Sequence, residues 1–174
     1  MKHDRNCMAE AAETAATLAG ELLRTESRLA VAESCTGGGG GYVLTSISGS
    51  SRWFERGFIT YSNASKREVL GVDGGILDQH GAVSGPVVAA MAEGAIARSR
   101  ADYSIAISGI AGPDGGSIDK PVGTVWFAFS RGPERTVTGC CHFTGDRRAV
   151  REQSIAHAIE GMVTFLRGNS ITAS

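Results

Sequence analysis

A chain of 174 residues, 42% hydrophobic and 20% charged, is sized and composed for one folded domain, which excludes a disordered tail and leaves no comfortable room for two domains. Its 17 Lys and Arg offset 18 Asp and Glu to a net charge of −1, so electrostatics give no footing for general binding to nucleic acid or to a membrane surface. Glycine is in excess, 24 residues beside only 4 prolines and roughly twice the usual ~7% share, which points to tight turns or a nearby ligand.

Apolar residues at 8, 11, 12, 15, 18, 19, 22 and 23 predict an amphipathic helix over 8–24. Residues 29–33 read as a short strand that breaks into Ser34-Cys35-Thr36 and five glycines, 37–41, after which 42–47 reads as a short helix. A second strand is expected over 57–61, then a helix over 63–70 with Asn63 as its cap and Gly71 as its stop. Ser84-Gly85-Pro86 opens an Ala-rich helix to residue 98, and 103–108 has the look of a buried strand. Beyond a glycine-dense loop, 109–123, strands over 124–130 and 135–143 are joined by a turn at 131–134. Residues 146–167 close the chain as a long helix with Val150, Ile155, Ala158, Ile159, Met162, Val163 and Leu166 on or near one face. Alternating early and hairpin-like late, this order predicts an α/β fold: a three-layer α/β/α sandwich on a mixed, mostly parallel sheet, with 1–174 as a single domain.

The start is polar, and Glu10, Glu13 and Glu21 interrupt what a signal peptide needs as an apolar core. No apolar run approaches the ~18 residues of a membrane span. Free thiols at Cys7, Cys35, Cys140 and Cys141 in a cytoplasmic protein are therefore expected.

Ser34 stands where a strand gives way to a glycine-rich turn, at the sheet edge where α/β folds bind ligands. The placement suits a nucleophile beside convergent backbone amides, and equally a helix-capping serine. The chain holds 14 Arg and only three Lys (Lys2, Lys66 and Lys120), so an internal lysine carries information. Lys66 follows Tyr61-Ser62-Asn63 by one helical turn, and lysine, unlike arginine, becomes a base once burial lowers its pKa. A solvated helix lysine beside Arg67 is the plainer reading of that residue alone. His3, His80, His142 and His157 read as surface or core residues rather than as bases. Cys35 is a second candidate nucleophile without an obvious histidine partner, and reads as structural. Ser117-Ile118-Asp119-Lys120 has S-x-x-K spacing but lies in a Gly/Pro loop instead of on a helix. No metal-ligand spacing is present, and Cys140-Cys141-His142 alternates across a strand. The loop 109–117 fits no phosphate-binding signature, and the aromatics and bases of 52–67 read as core and solvated charge rather than a nucleic-acid surface.

Seven strings together resemble the CinA C-terminal family: Ala32-Glu33-Ser34-Cys35-Thr36-Gly37-Gly38, Gly49-Ser50-Ser51-Arg52-Trp53-Phe54, Thr60-Tyr61-Ser62-Asn63 with Lys66, His80-Gly81-Ala82-Val83-Ser84, Ser108-Gly109-Ile110-Ala111-Gly112-Pro113 with Gly115-Gly116, Lys120-Pro121-Val122-Gly123-Thr124-Val125, and Phe143-Thr144-Gly145-Asp146-Arg147. They keep the family's order across about 18–166. The resemblance implies a cytoplasmic nicotinamide-nucleotide amidohydrolase in its stand-alone form, with no cofactor, no metal and a Ser–Lys site. It also implies a small nucleotide substrate and a homodimer. On the matching positions it implies Ser34 as nucleophile and Lys66 as base, with Tyr61 and Ser108 supporting them. Amides of Thr36, Gly37 and Gly38 would hold the oxyanion; Gly109, Gly112, Gly115 and Gly116 would cradle ribose or phosphate, with Arg147 as a further phosphate contact. Gly39, Gly40 and Gly41 depart from the apolar residues usual after Gly37-Gly38, which predicts a looser helix there. Two other readings stand beside this one: a non-catalytic nucleotide-binding or competence-accessory module, and an amidase dependent on Cys35.

Overall fold

The computed structural model describes residues 7–168, so His3 and the polar start lie outside the described residues. In chain order the elements are α1 (Cys7–Arg24), β1 (Leu29–Glu33), α2 (Gly39–Thr45), a 3-10 turn (Ser50–Arg52), β2 (Phe54–Ile59), α3 (Asn63–Leu70), α4 (Gly74–His80), α5 (Gly85–Ala97), β3 (Tyr103–Gly109), β4 (Thr124–Ser130), β5 (Thr136–His142) and α6 (Arg147–Leu166). The strands form one mixed sheet in the order β2-β1-β3-β4-β5; four run the same way and β4 alone is reversed.

Alternation along the strands divides the core into two unlike halves. Leu29, Val31, Ile105, Ile107, Val125, Phe127 and Phe129 project to one side and pack against α1, α2 and α6. Their neighbours Ala30, Ala32, Ala106 and Ala128 project to the other, beneath α5 with α3 and α4. Large side chains hold the first helix layer at a distance, whereas alanines let α5 settle close to the sheet. Ser104 confirms the closeness: its hydroxyl donates to the carbonyl of Ala92 inside α5 at 2.7 Å. Gly85 fits against the indole of Trp126, which a Cβ would approach to 2.9 Å.

Three elements differ from expectation for local reasons. β2 starts at Phe54 and ends before Thr60, because the carbonyls of Thr60 and Tyr61 turn away to meet Lys66. α4 carries no apolar period and opens on two glycines; the Asp73 side chain caps it by accepting from Ile76 N at 3.2 Å. α2 begins inside the glycine run, three residues before the expected start, where Glu33 accepts its first amides.

Register sets the next level. Glu33 of β1 stands between Ile59 of β2 and Ile107 of β3, and the ladder runs one step further, Thr60 N donating to Glu33 O and Ser34 N to Ile107 O. Thr60, Ser34 and Ser108 thus sit abreast at the carboxyl edge of three parallel strands, the edge where open α/β sheets take their ligands.

Candidate active site

Lys66 is brought to Ser34 by the start of α3. Ser62, one residue before the expected cap, accepts from Ser65 N at 3.1 Å, and the Ser65 hydroxyl accepts from Ser62 N in return. This reciprocal cap fixes the helix entry and turns the fourth helical residue inward. Lys66 is 1% exposed, with Nζ 3.0 Å from Ser34 Oγ, 2.7 Å from the carbonyl of Thr60 and 3.3 Å from that of Tyr61. A carbonyl only accepts, so two of the amine's directions must carry N–H. The third points at a hydroxyl, which can donate. When Lys66 is neutral its lone pair therefore faces the Ser34 proton. Burial drives it toward that state, lowering its pKa from 10.5 to about 8 against a small opposing effect of Cys35.

The turn carrying Ser34 is pinned from two sides. Glu33, 1% exposed, accepts from Gly38 N (3.0 Å), Gly40 N (3.1 Å) and Gly41 N (2.8 Å). Arg151, on α6, donates from Nη2 to the carbonyl of Thr36 at 3.0 Å. The amide of Gly37 donates to Ser34 O at 3.1 Å. The expected oxyanion donors Gly37 and Gly38 are thus already engaged. Among the described residues no oxygen accepts from the amides of Cys35 and Thr36. Among the described residues the buried hydroxyls of Thr36 and Thr60 have no hydrogen-bond partner. Cys35 is 5% exposed and packs into the core beneath α6; burial pushes its thiol up to about 11, which disfavours a thiolate.

The remaining predicted residues fall around this centre in unexpected roles. Tyr61 meets Lys66 through its carbonyl; the residue is 59% exposed, and its phenol accepts from Arg147 Nη2 at 2.9 Å. Arg147 also donates from Nη1 to Gly112 O at 2.8 Å, so one guanidinium ties the loop after β2 to the loop after β3, with β1 between them. The helix cap beside it is Asp146, accepting from Ala149 N. Ser108 donates to Ala82 O at 2.8 Å and braces β3 against the entry to α5, with no bond to Ser34 or Lys66. Gly109, Gly112 and Gly116 are demanded by close approach to residues 122–125, and Gly115 by φ +90°. Ser117 and Lys120 close a turn, Lys120 N donating to Ser117 Oγ, while Lys120 Nζ reaches His80 O at 2.8 Å. His157 packs against Phe127 and Phe143 with Nε2 3.4 Å from Cys141 Sγ, and burial lowers its pKa. Among the described residues no group of three His, Cys, Asp or Glu could hold a metal ion, and no helix is long and apolar enough to cross a membrane.

Sequence reasoning passed over Glu33, Arg151 and Thr60. For Glu33 a signal was present, an acid placed just before a run of glycine amides. Arg151 lies 115 residues from its acceptor, and nothing local announces that pairing.

Comparison with known proteins agrees with this architecture. The profile of the CinA C-terminal domain matches residues 11–166. Nicotinamide-nucleotide amidohydrolase PncC of Escherichia coli strain K12 is 55% identical over 142 residues, covering 81% of this chain and 86% of that protein. The protein of the same name from Pseudomonas putida is 50% identical over 151 residues, 86% of this chain and 94% of its own. Among solved structures, competence damage-inducible protein A from Klebsiella pneumoniae subsp. pneumoniae MGH 78578 superposes with a TM-score of 0.87 at 36% identity, covering 90% of this chain and 97% of that one. A competence/damage inducible protein from Agrobacterium tumefaciens gives 0.87 at 38%, covering 91% and 96%.

Proposed function

The chain belongs to the CinA C-terminal domain family, and we propose that it is a nicotinamide-nucleotide amidohydrolase converting nicotinamide mononucleotide to nicotinate mononucleotide and ammonia through Ser34 and Lys66. Ser34 Oγ attacks the carboxamide carbon while Lys66 Nζ takes the hydroxyl proton. The amides of Cys35 and Thr36 receive the developing oxyanion, each such donor contributing about 3 kcal/mol. Lys66 then returns the proton to the departing nitrogen, ammonia leaves, and water attacks the acyl-serine with Lys66 again as base. A neutral amine suits a substrate whose pyridinium ring is positive, since an ammonium would repel it.

The observation that carries this reading is the 3.0 Å approach of Lys66 Nζ to Ser34 Oγ with the other two amine directions occupied by carbonyls. Burial of Cys35 and its raised pKa weigh against the cysteine alternative. The four cysteines are free, which fits a reducing cytoplasm, and a homodimer goes with the family reading and is checked by light scattering.

Ammonia release from nicotinamide mononucleotide by the purified chain, run beside calorimetry, is the test. Turnover supports the amidohydrolase; tight binding without ammonia favours a nucleotide-binding module instead.

A further inference from the structure

Glu33 is a fully buried carboxylate with no Lys or Arg in ion-pair contact among the described residues. Such a charge is tolerable inside a protein only when its oxygens are hydrogen-bonded. Oε2 takes the amides of Gly38 and Gly40, Oε1 that of Gly41, and every one of these partners is a donor. The space is made by the glycines, because a Cβ at position 40 would come within 3.0 Å of Oε1. The same residue precedes Ser34 in the chain, and its own carbonyl accepts from Thr60 N at 2.8 Å. Glu33 therefore joins, within one residue, the strand end that supplies the base's carbonyls, the nucleophile, and the glycine run behind it.

We propose that Glu33 is a positioning residue for Ser34: its carboxylate acts as a built-in anion that gathers the amides of Gly38, Gly40 and Gly41 and sets the turn, leaving the amides of Cys35 and Thr36 for the reaction. The glycine run is consequently no phosphate cradle, since three of its amides are spent on the protein's own carboxylate and those of Gly37 and Gly39 on the carbonyls of Ser34 and Thr36. The inference rests on the reading of Ser34 as nucleophile, and it makes a chemical distinction between similar side chains. Glutamine offers one accepting oxygen and turns an NH2 toward a backbone N–H, donor against donor. Aspartate is one methylene short of the amides.

The test is the rate at which a fluorophosphonate labels Ser34, followed by mass spectrometry, with ammonia release measured in parallel. Wild type, Glu33→Gln and Glu33→Ala are compared, the last with and without formate, a carboxylate small enough for the vacated space. Folded Glu33→Gln is expected to label about 10- to 100-fold more slowly, the loss falling on kcat while KM stays within about threefold, as for damage to oxyanion donors. Formate is expected to speed Glu33→Ala and to leave wild type unchanged. Wild-type labelling by folded Glu33→Gln, or a slow Glu33→Ala that formate does not help, overturns the proposal; if Glu33→Ala fails to fold, Glu33→Gln decides alone. A wild-type chain that labels at Ser34 but releases no ammonia removes the proposed substrate and leaves the role of Glu33 standing. A wild-type chain that does not label at Ser34 overturns both.

Discussion

Lys66 sits where a charged lysine is hard to keep, and its proposed role as base draws on that cost. With a pKa near 8, kcat/KM is expected to rise about tenfold per pH unit below that value and to level off above it. A flat profile between pH 6 and 9 would remove Lys66 as the base. Stability responds in the same window. Between pH 8 and 10.5 the unfolded chain holds a proton that the folded chain has released, so the fold strengthens as pH rises; below about 8 the burden is complete, roughly 3 kcal/mol. Denaturant titration of wild type against Lys66→Met should show wild type gaining on the variant by about that amount from pH 8 to 10.5, and the variant should lose about 10²–10⁴ in kcat. At this scale the sequence was partly readable. Lys66 stood out among arginines, and Ser34 by its place after a strand. The capping serine and the carbonyls that orient the amine were hidden, because they depend on where β2 ends.

Periodicity foretold the elements that are long or fully buried: α1, β1, β3, β4 and α6 fall within a residue of their expected bounds. It failed at α4 and α2, where short segments rich in glycine are held by a single acid, Asp73 or Glu33, and not by an apolar stripe. Of the three glycines of α2, two have separate reasons to be small and the third has none. A Cβ at Gly39 would lie 2.5 Å from Ile155 Cδ1 and one at Gly40 3.0 Å from Glu33 Oε1, whereas one at Gly41 finds ordinary contacts at 3.6 and 3.8 Å. Gly41→Ala is expected to raise stability by ~0.5–1 kcal/mol through helix propensity with activity kept. Gly39→Ala should lower the thermal midpoint, and Gly40→Ala should lower activity by displacing the carboxylate. Equal melting temperatures across the three would contradict this account of the glycine run.

Across the whole molecule, the sheet brings together residues from opposite ends of the chain. The order of the layers was legible from the alternation of elements, and the contrast of large and small strand faces explains which helix lies closest. The tie made by Arg147 was not legible, since it joins α6 to loops following two different strands. Its guanidinium spans the edge above β1, and we propose that it exchanges those partners for a substrate phosphate. Arg147→Met is therefore expected to reduce the preference for nicotinamide mononucleotide over its unphosphorylated riboside by about 10- to 100-fold, the scale of one charge-assisted contact, with little change in melting; an unchanged preference would place the phosphate elsewhere. All of these parts converge on one hydroxyl. Steady-state ammonia release from nicotinamide mononucleotide by Ser34→Ala tests that convergence most directly: a loss on the order of 10⁴ in kcat with the fold intact is predicted, and turnover at the wild-type rate would contradict it.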